Sequence, residues 1–180
     1  GSSTADMIQK AFITGEVMKL CKSYRSTFEI TSFAQRIQTN EELEAITRHG
    51  EKPTILSFKN PEKELSAISE LITTFKKSTY KSLGIICKTE MQAQEITEEL
   101  KSYTDNLYFL SHQSTAFAKG IIVTSSHMAK GLEFDEVIIP QANDTNYNTL
   151  IDKSMLYVAV TRAMHKLTIT HWGKPSRFIP

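Results

Sequence analysis

Apolar residues fall along this chain in two alternating rhythms: short, nearly continuous runs, and longer stretches in which every third or fourth residue is apolar. The runs at 54–58, 83–87, 107–110, 121–124, 137–139 and 166–171 have the length and β-branched content of strands. Several lack the polar alternation of a half-exposed sheet, as in Leu83-Gly84-Ile85-Ile86-Cys87. That pattern predicts strands buried on both faces, as parallel strands are.

The intervening stretches read as helices. Asn60-Pro61 supplies an N-cap and a proline at the first helical position, and Leu65, Ile68, Leu71, Ile72 and Phe75 follow at helical spacing. Thr89 with Gln92 fits a capping box, and Met91, Ile96 and Leu100 form a stripe that ends near Ser102. A last helix is expected over 152–164, with Met155, Leu156, Val158 and Ala159 inward, before the chain returns as the final strand. The polar, asparagine-rich stretch 143–148 predicts a surface loop. Alternation of this kind predicts an α/β fold, a mostly parallel sheet with helices on both faces.

Composition narrows the function classes. With 180 residues, 40% hydrophobic and 23% charged, the chain has the size and make-up of one globular domain. Lys plus Arg number 21 against 20 Asp plus Glu, so there is no global basic field and any nucleic-acid contact must be local. Cys21 and Cys87 stand far apart without zinc or disulfide spacing and read as free thiols of a reducing cytoplasm. No apolar run reaches the roughly 20 residues of a membrane span, and the start lacks signal-peptide character, so the expectation is a cytoplasmic protein with no membrane partner. Gly1-Ser2 reads as a cloning remnant, which would make the chain an excised fragment.

Three segments carry candidate chemistry. They are Leu20-Cys21-Lys22-Ser23-Tyr24-Arg25-Ser26-Thr27, then Ser125-Ser126-His127-Met128-Ala129-Lys130-Gly131-Leu132-Glu133-Phe134, then Leu156-Tyr157-Val158-Ala159-Val160-Thr161-Arg162-Ala163. In this order they resemble motifs IV, V and VI of UvrD/Rep/PcrA-like superfamily 1 DNA helicases. The stretch 84–100 is also similar to the strand and helix that follow motif IV there, so the resemblance runs from about Leu20 to Trp172. It implies a C-terminal RecA-like domain over 20–180, with 1–19 as a lead-in segment.

The resemblance assigns roles residue by residue. Arg162 is implied as an arginine finger, a guanidinium that stabilises charge on the γ-phosphate oxygens of ATP in a composite site. Arg25 is implied as a second γ-phosphate contact, and Tyr24 as the ring stacked on adenine. Gly131 permits close backbone approach or an unusual dihedral, and Glu133 can accept a hydrogen bond from a ribose hydroxyl. Ser125, Ser126, His127 and Lys130 are implied to link nucleotide state to single-stranded DNA, in a loop leaving a strand where open parallel sheets place ligands. Plainer roles remain open for each. Arg162 can cap its own helix, Tyr24 can cover the core, Arg25 and Glu133 can be solvated charges, and His127 a satisfied polar residue. Leu132 and Phe134 read as core.

The chain also departs from the family. Serine stands at Ser125 where threonine is usual, and Asp152-Lys153-Ser154 replaces the acidic-acidic-arginine run that commonly precedes the last motif. About 20 residues separate Lys101 from Ile121, too few for the large helical subdomain that many relatives insert there. No G-x-x-x-x-G-K-[ST] string occurs among the seven glycines, and no strand ends in an Asp-Glu pair suited to Mg²⁺. The chain alone is therefore expected not to hydrolyse ATP, an N-terminal RecA-like partner domain holding Mg²⁺ and the phosphates. Two functions follow as expectations: a helicase or translocase motor half, or a helicase-like ATPase domain that remodels a protein complex such as RNA polymerase.

Overall fold

The computed structural model describes residues 26–40, 48–114 and 120–180. The elements are α1 (Phe28–Ile37), β1 (Thr54–Phe58), α2 (Pro61–Lys77), β2 (Leu83–Cys87), α3 (Glu90–Leu100) and β3 (Leu107–Phe109). There follow β4 (Ile121–Ser125), α4 (Ser126–Ala129), β5 (Phe134–Ile139), α5 (Leu150–Thr161) and β6 (Ala163–Trp172). The strands form one sheet in the order β1-β6-β5-β2-β4-β3, and every neighbouring pair is parallel. The carboxyl ends of all strands therefore share one edge of the sheet, and the amino ends the other.

Each face of the sheet has its own core. Ile86, Ile122, Val137, Leu167 and Ile169 point to one face, where they meet Ile30 and Phe33 of α1 and Leu156 and Val160 of α5. Ile85, Val123 and Ile138 point to the other, against Ile68, Ile72 and Phe75 of α2 and Ala93 and Ile96 of α3. The central strands β2 and β4 are buried along their whole length, which is why their sequence shows no alternation. Gly84 in β2 lets the Phe134 ring lie against the strand; a Cβ there would sit 2.5 Å from a ring carbon.

Polar groups fix the helices. Asn60 accepts the Lys63 amide at the start of α2, and Thr89 and Gln92 form the expected capping box of α3. Glu64, 3% exposed, accepts the Thr170 hydroxyl at 2.6 Å and the Gln141 amide at 2.8 Å, which anchors α2 to the end of β6. Burial also pushes the Cys87 thiol far up, leaving it an inert neutral group; Cys21 lies outside the described residues.

Four expectations need correction. The last helix is Leu150–Thr161 rather than 152–164, because Thr149 and Asp152 form a capping box two residues upstream, and Ala163 already pairs with Phe134 in the sheet. Its buried apolar face is Leu156, Tyr157, Ala159 and Val160, with Met155 and Val158 only half-buried. Met91 does not join the α3 stripe and is 71% exposed. The stretch 143–148 is no simple surface loop: Tyr147 is fully buried, Asn143 caps a turn, and the Ser176 hydroxyl donates to the Tyr147 carbonyl. The helix α1 was not anticipated. Among the described residues, no helix is long and apolar enough to cross a membrane.

Candidate functional site

The predicted residues divide between the two edges of the sheet. Arg162 caps the carboxyl end of α5 and leads directly into β6, so it lies at the amino edge. Its Nε donates to the Val158 carbonyl at 3.2 Å, Nη1 to the Leu132 carbonyl at 3.1 Å and Nη2 to the Thr161 hydroxyl at 3.2 Å. The Phe134 amide donates to the Arg162 carbonyl at 2.9 Å, which fastens the Gly131-Leu132-Glu133 turn to the same corner. Burial draws the guanidinium pKa down, while the charge of Glu133 and the nearby Tyr157 push it back up. An arginine remains charged in such a setting. The helix-capping role left open for Arg162 is thus present, and the same guanidinium also grips the Gly131 turn.

Gly131 adopts φ +82°, and nothing lies within 4 Å of where its Cβ would be. Of its two possible uses, the unusual dihedral is the one the backbone requires. Glu133 is half-buried beside Arg162. Phe134 is core as expected, and Leu132 packs at the core's margin. Tyr24 and Arg25 lie outside the described residues. The residues that follow them dock on the start of β6, where the Ser26 hydroxyl donates to the Ala163 carbonyl at 2.7 Å and the Thr27 amide to the Met164 carbonyl at 3.2 Å.

The remaining predicted residues begin at the opposite edge. Ser125 ends β4, and its hydroxyl accepts the Met128 amide at 3.2 Å. Ser126 is 1% exposed and donates to the Cys87 carbonyl at 3.4 Å. His127 and Lys130 are exposed. From Ser126 to Glu133 the chain crosses back over β2 to reach β5 at the amino edge, so one short segment joins the two groups.

Beside His127 lies an open pocket of about 360 Å³, lined in part by Lys88, Glu90, His112, Ser125, His127 and Met155. Glu90 is engaged by His112, whose amide donates at 2.8 Å and whose ring Nδ1 lies 2.8 Å from the carboxylate. Those contacts, the backbone bond first, hold the Glu90 carboxyl below its usual range. Lys88, Glu90, His112 and Met155 were not singled out from the sequence as site residues, Met155 being read there only as part of a helix's inward face. Lys88 had a usable signal, since it follows the carboxyl end of a predicted strand. His112 and Met155 had none, because only the sheet order brings them together.

Residues 18–119 match the model of the UvrD-like helicase C-terminal domain, and residues 120–170 match a second model of the same description. The chain belongs to the UvrD-like helicase C-terminal domain family. The C-terminal domain of a possible DNA helicase from Lactobacillus plantarum WCFS1 has the same fold, with a TM-score of 0.74 and 29% identity over 87% of this chain and 92% of that one. Weaker likenesses are to the UvsW helicase of bacteriophage T4, at 10% identity over 65% of this chain and 46% of that chain, TM-score 0.48. The arterivirus nonstructural protein 10 helicase, solved with DNA, aligns at 12% identity over 68% of this chain and 28% of that one, TM-score 0.46. No protein of curated function matches the chain. Within this UvrD-like domain, the resemblance drawn from its three motifs and the fold it implied both hold.

Proposed function

We propose that this UvrD-like domain is the second motor half of an ATP-driven DNA helicase or translocase, with nucleotide at its amino edge and single-stranded DNA at its carboxyl edge. One observation carries the reading: Arg162 and the Gly131–Glu133 turn are bonded into one corner, while the segment that begins at His127 on the opposite edge ends in that same turn. A signal at either edge has a short covalent route to the other.

The residues present fit a nucleotide. Arg162 offers a charged fork, Glu133 a carboxylate for a ribose hydroxyl, and the positive φ of Gly131 sets the turn that presents it. ATP, with Mg²⁺ held by an N-terminal RecA-like domain, supplies the phosphoanhydride bond to be cleaved. Arg162 together with Arg25 would face the γ-phosphate, Tyr24 the adenine and Glu133 the ribose. Because Arg162 spends its donors on Val158, Leu132 and Thr161, engaging a phosphate requires it to exchange some of those bonds. At the carboxyl edge His127 is exposed for phosphate contact, and Lys130, next to the Gly131 turn, is exposed farther along the same segment. Ser125 lines the pocket wall, and Ser126 holds the segment to β2.

The test is Arg162→Ala in the full-length protein, where DNA-stimulated ATPase should fall by roughly 10³-fold or more. Near-normal turnover would remove the finger role.

A second reading has one observation in its favour. The connection between α3 and β4 is occupied by the edge strand β3, where many relatives carry a large subdomain. A motor half built this way also suits an ATPase that remodels RNA polymerase. Strand separation measured beside polymerase capture distinguishes the two.

A further inference from the structure

Among the described residues, Lys88 is the one Lys or Arg side chain lining the carboxyl-edge pocket, and it is bound to the head of α5. Its ammonium donates to the Asn146 carbonyl at 2.6 Å, lies 3.2 Å from Asp152 Oδ1 and sits 5.9 Å above the Tyr147 ring. Its side chain is 19% exposed, so an incoming anion has access to it. The rest of the Asp152 carboxylate is committed elsewhere: Oδ2 accepts the amides of Asn148 and Thr149, both at 3.0 Å. Asp152 can therefore give up Lys88 without losing the capping box that starts the helix.

α5 then runs the depth of the domain. Its 12 residues span about 18 Å, and the stretch from Asp152 beside the pocket to Arg162 at the opposite edge covers about 15 Å of that direction. Met155, one turn beyond Asp152, also lines the pocket. The Asn146 that accepts from Lys88 is bonded in turn to Gln92 at the start of α3, at 2.9 Å. Pocket, α3 and α5 are thus joined through one lysine.

We infer that Lys88 is a positioning residue which reports the phosphate backbone of single-stranded DNA in this pocket to Arg162, by sharing its ammonium between that backbone and Asp152. The inference rests on the reading above that DNA follows the carboxyl edge. With the pocket empty, Lys88 ties the head of α5 to the 143–148 segment. With a phosphate present, the ammonium turns toward it, the tie at Asp152 loosens, and the head of the helix that leads to Arg162 loses one of its contacts. Glu90 offers the phosphate little competition for Lys88, since its carboxylate is engaged by His112.

The experiment uses the full-length protein with oligo(dT), measuring both the oligonucleotide concentration for half-activation of the ATPase and the maximal fold-activation. Lys88→Met should raise the half-activating concentration about tenfold, lower the maximal activation, and reduce the slope of log affinity against log salt by about 0.7. Lys88→Arg should keep most of both. Asp152→Asn should act oppositely on affinity, lowering the half-activating concentration because Lys88 is freed, while still lowering the maximal activation and leaving the salt slope alone. A merely structural role would move affinity and activation together in both variants, and that result overturns the inference. So does a Lys88→Met protein activated like the wild type. A wild-type protein that neither binds nor responds to oligo(dT) overturns instead the placement of DNA at this edge.

Discussion

The amino and carboxyl edges of the sheet are held by different kinds of contact. At the amino edge the guanidinium of Arg162 is closed onto its own domain by three hydrogen bonds, and Glu133 sits half-buried beside it. At the carboxyl edge His127 is exposed, and the pocket beside it is open. A group kept in low dielectric is electrostatically strong but must give up partners to act; an exposed group is ready but screened. That division suits the proposed role, in which a transition-state contact is needed only when a neighbouring domain closes and a grip on a polymer must form and break quickly.

Several changes sharpen or break this contrast. The largest effect is expected for Arg162→Lys, which keeps the charge but loses the fork. DNA-stimulated ATPase should fall by at least about 100-fold, since one ammonium cannot replace a bidentate contact. If lysine worked as well as arginine, the geometry at this edge would be irrelevant.

Next comes packing under the same corner. Gly84→Ala sets a methyl against the Phe134 ring, and overpacking of this kind costs about 1–3 kcal/mol. Urea unfolding should show the loss, with part of it restored by adding Phe134→Leu. Gly131→Ala meets no neighbour and is opposed only by its positive φ, a cost of about 1 kcal/mol.

Glu136 gives a change of opposite sign. It is 1% exposed in β5, neither carboxylate oxygen has a hydrogen-bond partner, and burial raises its pKa above the ordinary 4.5, with Lys166 only partly opposing. The folded state thus holds this proton more tightly than the unfolded chain. The group's contribution to stability is complete below pH 4.5 and is lost as pH rises through the folded value. Glu136→Leu should therefore stabilise the domain by about 1 kcal/mol at neutral pH, with the advantage fading as pH falls toward 4.5. Thermal melts across pH test this.

The smallest effect lies at the carboxyl terminus. Asp144 accepts the amide, Nε and Nη2 of Arg177, at 2.9, 3.0 and 2.9 Å, and these bonds lower its pKa to about 2. A depressed carboxyl contributes stability above its unfolded value and loses it as pH falls through the folded one. The Arg177 Nε resonance should stay shifted at pH 4 and move only as pH approaches about 2.

The limits of what sequence reveals follow from where each boundary is decided. β1 and β2 have their predicted limits, β3 and β4 differ from theirs by one residue, and the capping box of α3 was readable, because runs of apolar residues and local side-chain caps are properties of contiguous chain. The junction of α5 and β6 was misplaced because Ala163 leaves the helical pattern only by pairing with Phe134, far away in sequence. Met91 stands five residues before Ile96, about 140° round the helix, and faces solvent, while Tyr147 looked like loop and is buried by the returning carboxyl-terminal segment.

For this chain, then, the sequence by itself determined the strand-helix alternation, the missing phosphate-binding loop and the candidate residues of its three motifs. Tertiary structure decided the sheet order and with it the partition of those residues between two edges. It also decided the binding of Arg162 to the Gly131 turn and the attachment of Lys88 to the head of α5. The physical reason is range. Periodicity and capping are local, whereas which strand ends lie side by side depends on two cores packing at once, and no stretch of contiguous residues encodes that.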